Sequence, residues 1–166
     1  MTETPAEYRR RFAQYVEGKD PLELQKEAPS TLLRLIRGMP ESALRRRPAP
    51  EKWSVTEILA HLAEDELVTS WRYRLMIERD GATLAAFDQD LWARLGDYAG
   101  WSAEDALGMF RLLREANLRM LANLRSEEWE RAGEHQERGR ITVRDLARHM
   151  AAHDVNHIRQ IEKILA

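Results

Sequence analysis

Three of the five histidines in this chain, His149, His153 and His157, stand four residues apart within the stretch LARHMAAHDVNHIRQI. On a helix, positions i and i+4 lie one above the other. Two imidazoles so spaced bring their ring nitrogens within reach of one cation, and helical zinc motifs use the spacing for that reason. A His-x3-His pair is equally read as a hydrogen-bonded core pair or a chance surface placement, and the spacing alone leaves these open. A second segment carries His61, with Glu64, Asp65 and Glu66 just beyond it. A histidine and carboxylates arriving from another helix would complete a site. Asp65 and Glu66 are its candidate general bases if they come within hydrogen-bond reach. Glu66 can also be read as a fourth ligand, as an acceptor orienting a histidine, or as a carboxylate reaching outward.

A helical wheel at about 100° per residue sorts these positions. In the last segment Leu146, Met150, Ile161 and Ile164 share one narrow sector. His153 and His157 fall in the middle of it and His149 on its flank. Imidazoles on an apolar stripe need partners, because burying an unpaired polar group costs roughly 1–3 kcal/mol. In the earlier segment Val55, Leu59, Leu62, Tyr73 and Ile77 define the stripe, Glu66 falls on it, and His61 and Asp65 fall to one side. Periodicity therefore leaves the direction of His61 open. A bundle helix meets two neighbours, so a flank position can still turn toward a diagonal partner.

The elements that must hold these residues are helices. Gly and Pro are sparse, and apolar residues recur at spacings of three and four. The pattern predicts helices over about 5–16, 21–37, 55–80, from Ser102, and from Thr142 nearly to the C-terminus. Ser54 with Glu57 has capping-box spacing, and Gly81 supplies a stop. No segment reads as a strand. The connector GATLAAFDQDLWARLGDYAGW has room for a short helix over one end of a pocket, with Trp92 and Trp101 as residues of a lid. Trp53, Trp71 and Trp129 read as core or interface packing. The polar stretch SEEWERAGEHQERGRI reads as turns with His135 in solvent; Asp154 reads first as a surface residue and otherwise as a tether of its helix or a support behind the site, and Arg45-Arg46-Arg47 first as a solvated helix end and otherwise as a patch for an anionic group. The expected fold is all-α: a four-helix bundle with short additional helices in connectors, one domain over 1–166.

Composition narrows the function classes. With 26 basic and 28 acidic residues the net charge is −2, which gives no electrostatic footprint for nucleic acid. No apolar run approaches the roughly 20 residues a membrane span needs, and MTETPAEYRR lacks the apolar region of a signal peptide. A cytoplasmic location is expected. The absence of cysteine removes disulfides, cysteine zinc sites and a protein thiol nucleophile.

Two stretches, PAPEKWSVTEILAHLAEDE and HMAAHDVNHIRQIEKIL, together resemble the DinB/YfiT-like family. The first resembles that family's Trp-Ser opening of the second helix with a histidine further in. The second resembles its final helix with the His-x3-His pair. The resemblance implies a four-helix bundle, usually homodimeric, with one divalent metal ion (Zn, Ni or Fe) held by three histidines. Carried onto this chain, the metal ligands are His61, His153 and His157. Characterised members include enzymes that use low-molecular-weight thiols, and others are described as metal-dependent hydrolases, so the resemblance implies first a thiol-dependent S-transferase acting on a small-molecule electrophile, with the thiol as cosubstrate. A metal-dependent hydrolase using metal-bound water is the alternative. From another class comes a non-catalytic dimeric domain that binds a small molecule or a partner.

Overall fold

A computed structural model describes residues 3–166. Helix α1 (Pro5–Tyr15) is followed by α2 (Pro21–Ile36) and a single turn, α3 (Glu41–Leu44). Helix α4 (Val55–Glu78) leads into strand β1 (Ala82–Leu84), helix α5 (Gln89–Leu95) and a 3-10 turn at Tyr98–Gly100. Then come α6 (Ala103–Ala122), α7 (Ser126–Trp129), the hairpin of β2 (Ala132–His135) and β3 (Gly139–Thr142), and α8 (Val143–Leu165). Capping sets the starts of the two helices that carry the histidines. Ser54 accepts from the amide of Glu57 while the Glu57 side chain accepts from the amide of Ser54, and Thr142 with Asp145 does the same for α8.

The four long helices form a ring in which α4 packs on α6, α6 on α2, α2 on α8 and α8 on α4. Helices α2 and α4 therefore face each other across one diagonal, and α6 and α8 across the other. The direction of His61, left open by periodicity, is toward an adjacent helix, because α4 and α8 are neighbours. Apolar packing fills both ends of the ring. Leu32, Ile58, Leu59, Leu62, Phe110 and Ile161 form one cluster, and Tyr73, Met76, Leu121, Leu146 and Met150 form the other. Helix α1 lies on α8 through Phe12 and Val16 against Ala151 and Ala152. Among the described residues no helix is long and apolar enough to cross a membrane.

At the centre of the ring Arg114, on α6, touches the other three long helices. Its Nη1 donates to the Gln25 carbonyl on α2 at 2.9 Å and to Asp154 Oδ2 on α8 at 2.5 Å. Its Nη2 donates to Glu66 Oε2 on α4 at 2.8 Å. Asn117 donates to the other Glu66 oxygen at 2.8 Å. Asp154, expected at the surface, is instead buried at 1% exposure, because its carboxylate is the counter-ion of a buried guanidinium.

Three short strands were not expected. β1 runs parallel to β2, pairing Ala82 with Gly133 and Leu84 with His135, while β2 and β3 form an antiparallel hairpin. AGEH and GRIT lack the apolar alternation that marks a strand, so the sheet rests on pairing geometry. Gly139 turns the hairpin at φ +70°, a conformation that favours glycine. His135, expected in solvent, is buried, and its Nδ1 accepts from the Glu137 amide at 3.2 Å. Close approach matters at Gly133, where an added Cβ would lie 2.6 Å from Leu84 Cδ1 and 3.0 Å from the Ala82 carbonyl oxygen. Gly133→Ala should therefore cost about 1–3 kcal/mol by overpacking, read as a lower urea midpoint at unchanged slope.

The remaining connectors use polar side chains as ties. Arg45 pairs with Glu41 and donates to the carbonyls of Ala99 and Trp101, each at 2.6 Å. Arg47 pairs with buried Glu57. The arginine run is exposed at the end of α3, as expected, and it also clamps neighbouring chain. Trp101 donates from Nε1 to the Gly96 carbonyl at 2.9 Å, and Trp92 packs against Phe87. Trp71 is 65% exposed, so it takes no part in the core of this chain.

Candidate metal centre

His61 enters from the second turn of α4, and His153 and His157 from successive turns of α8. Every residue from Ser54 to Ala63 is buried, so this end of α4 has no solvent face and His61 meets α8 directly. His61 Nε2 lies 3.2 Å from His153 Nε2, and His157 Nε2 lies 3.2 Å from the same atom. The three residues are each less than a tenth exposed, and each offers a nitrogen within 4.8 Å of the other two.

These nitrogens fit a shared cation better than a closed hydrogen-bond cluster. Ligands about 2.0–2.1 Å from a tetrahedral ion stand about 3.3–3.4 Å apart, close to the two separations from His153, while His61 and His157 lie within 4.8 Å of each other. In a cluster without an ion, His61 and His157 would donate through Nε2 and leave bare Nδ1 atoms. The single lone pair of His153 Nε2 would have to serve both donors, whereas His61 Nδ1 lacks a partner with or without an ion. Binding a cation through Nε2 instead puts the ring proton on Nδ1, and His157 Nδ1 faces Gln160 Oε1 at 3.0 Å as that proton requires. His153 Nδ1 faces Asp65 Oδ2 at 3.6 Å, a small movement from a hydrogen bond.

Burial sets the electrostatics. Loss of hydration pushes His61 down to about 3, helped by the neighbouring His157. It pushes His157 down to about 4 and His153 well below the ordinary imidazole value. The rings are therefore neutral with lone pairs available at neutral pH, the form a divalent ion binds. Burial, reinforced by the charge of Glu66, pushes Asp65 up to about 6.

The two carboxylates proposed as bases part company here. Both oxygens of Glu66 are held by Arg114 and Asn117, away from the histidines. Asp65 faces a cavity of about 290 Å³ together with His61, His153, Arg72, Arg138 and Tyr8. His149, on the flank of the apolar stripe of α8, also lines this cavity, with its ring against Phe12 at 5.3 Å. Phe87 and Gln89 line the same space, so the connector does cover one side of it, while Trp53 packs on His61 from another. Size alone would point elsewhere: a groove lined by Arg47, Trp53, Glu57 and Arg94 is about 520 Å³ and the one between α2 and α6 about 490 Å³, but neither carries a histidine.

Sequence reasoning missed Arg72, Arg114, Arg138 and Gln160. Gln160 stands one helical turn beyond His157 and Arg72 two turns beyond Asp65, so both were on the right faces to be found. Arg114 and Arg138 come from elements whose placement no spacing reveals.

A ring of four helices with a buried three-nitrogen cluster on the α4–α8 seam defines a bundle protein suited to one metal ion. The chain belongs to the DinB superfamily, whose family model matches residues 25–161. It is 24% identical over 163 residues to a Bacillus subtilis protein named "Putative metal-dependent hydrolase YfiT", covering 95% of this chain and 90% of that one. Two Oceanobacillus iheyensis proteins, also named as putative metal-dependent hydrolases, are 25% and 26% identical, and the matches span 65% and 64% of their lengths. The solved structure of YfiT, described as "a probable metal-dependent hydrolase with an unusual four-helix bundle topology", superposes with a TM-score of 0.81 at 20% identity. That match covers 87% of this chain and 83% of that one, and it shows the shared bundle fold.

Proposed function

We propose that the protein is a metal-dependent hydrolase in which His61, His153 and His157 would hold one divalent ion beside the cavity. The convergence of three buried, neutral imidazole nitrogens is the observation that carries this reading. A divalent ion there supplies Lewis acidity toward water and toward the oxygen of a bound substrate. Neutral imidazole nitrogen suits Zn(II), Ni(II) and Fe(II) alike.

The chain's own residues supply orientation and proton transfer. Gln160 fixes the His157 ring through Nδ1, and Asp65, 3.6 Å from His153 Nδ1, would accept that ring's proton after a small approach. Asp65 is also the carboxylate on the cavity wall next to the histidines, and it takes the proton lost by the attacking nucleophile. The burial of Glu66 against Arg114 removes it from this role. The S-transferase reading uses the same cluster, with an external thiol in place of water. Hydrolysis is preferred because the curated relatives carry that name.

Asp65→Asn tests the assignment. Hydrolysis of activated esters and amides by the zinc-loaded protein should fall at least about 100-fold, the typical contribution of a general base. Metal affinity should fall by about 10–100-fold from the weakened hold on His153. Unchanged turnover in the metal-saturated variant would remove Asp65 from the mechanism. Esters and amides untouched by the wild type, beside a thiol added to an electrophile, would replace hydrolysis by S-transfer.

A further inference from the structure

We infer that the cavity over the three histidines takes a small molecule bearing an anionic group, a carboxylate or a phosphate, received by Arg72 with Arg138 beside it. The inference deepens the proposed function, since it rests on the reading that this cavity is the substrate site.

Arg72 lies on α4 seven residues after Asp65, two turns along the same face. It is 6% exposed, and it lines the cavity with His61 and His153. Its Nη2 donates to the Ala85 carbonyl at 2.6 Å, and its guanidinium carbon stands 5.7 Å from the centre of the Phe87 ring. These contacts fix the plane of the group and occupy one nitrogen of a five-donor fork. The others make no hydrogen bond among the described residues.

Arg114 shows what a buried arginine ordinarily has in this protein. It carries two carboxylates in direct contact. Arg72 has no carboxylate in salt-bridge contact among the described residues, although Asp65 and Glu137 share its cavity. Arginines are seldom buried without such a partner. The free edge of a planar guanidinium fixed at a cavity wall matches a carboxylate or phosphate bidentately. Arg138, on the exposed turn between β2 and β3, lines the same cavity and likewise has no salt bridge among the described residues. Formally Arg72 and Arg138 balance Asp65 and Glu137, so the wall leaves no net charge to neutralise a divalent ion on the histidines. An anionic ligand supplies it.

The test is calorimetric titration of the metal-free and the zinc-loaded full chain with glutarate, inorganic phosphate and uncharged glutaramide. At least one anion should bind at least about tenfold more tightly than glutaramide to both forms, a margin expected of one charge-assisted, bidentate contact. Comparing glutarate with phosphate identifies which group the fork prefers. Arg72→Gln should abolish the preference without changing zinc content. The exposed Arg138→Gln, whose folding is not at stake, should reduce it less. Equal binding of all three probes to the wild type, or a preference that survives in the double variant, would overturn the inference. A protein that keeps the anion preference but takes up no zinc counts against the metal centre alone. One that loads zinc without the preference counts against the anion site alone.

Discussion

Alanine at position 153 abolishes metal uptake while the helical bundle survives: this is the expected result of greatest consequence. His153 Nε2 is the atom that both other rings approach at 3.2 Å, so its loss removes the centre of the donor set. Mass spectrometry of wild type reconstituted with zinc, nickel or iron should find close to one ion per chain. His61→Ala and His153→Ala should hold almost none. His149→Ala should keep its metal, because that ring lies against Phe12 and outside the three-nitrogen cluster. Binding to the folded state alone stabilises it by RT ln(1 + [L]/Kd), about 4 kcal/mol at a thousandfold excess over Kd. Chelation should therefore lower the melting temperature of the wild type and leave that of His153→Ala unchanged. A wild type that refuses every ion after reconstitution would leave a small-molecule binding role in place of the enzyme.

The second large effect belongs to Arg114 and is on stability. Replacing it with methionine keeps much of the volume but strands the carboxylates of Glu66 and Asp154 at 1% exposure each. Removing one partner of a buried ion pair costs about 3–5 kcal/mol, because the charge left behind is neither hydrated nor paired. Urea denaturation of Arg114→Met should show a loss of that size. Adding Glu66→Gln and Asp154→Asn should return a large part of it, since the penalty comes from the stranded charges. A single substitution that changes the unfolding free energy by under about 1 kcal/mol would mean the guanidinium is not the tie between the helices.

The helices were legible because their caps and periodicities agree. The capping boxes at Ser54 and Thr142 start α4 and α8 where the sequence places them. His153 and His157 were legible for a related reason: α8 has polar and apolar faces distinct enough to mark which residues turn inward. His61 was not, because the first turns of α4 are buried on every side and a wheel has no polar face to measure against. The resemblance supplied the residue, and the adjacency of α4 and α8 supplies the physical reason. Asp154 misled by the opposite route. A carboxylate reads as solvent-facing by default, and its partner Arg114 lies on a helix 40 residues away in sequence. The sheet escaped notice because its strands are three or four residues long and carry no apolar alternation.

The order of helices around the ring also bears on how the protein is made. His61 and His153 are separated by 92 residues, and α8 takes its seat between α2 and α4. During synthesis α2, α4 and α6 leave the ribosome first, with the seat for α8 still empty and its apolar walls in water. The donor set cannot assemble from any shorter nascent chain, and contacts between such distant segments form late and slowly. A chain stalled before α8 should accordingly be recovered with chaperones or in aggregates, and the three nitrogens meet only after α8 docks.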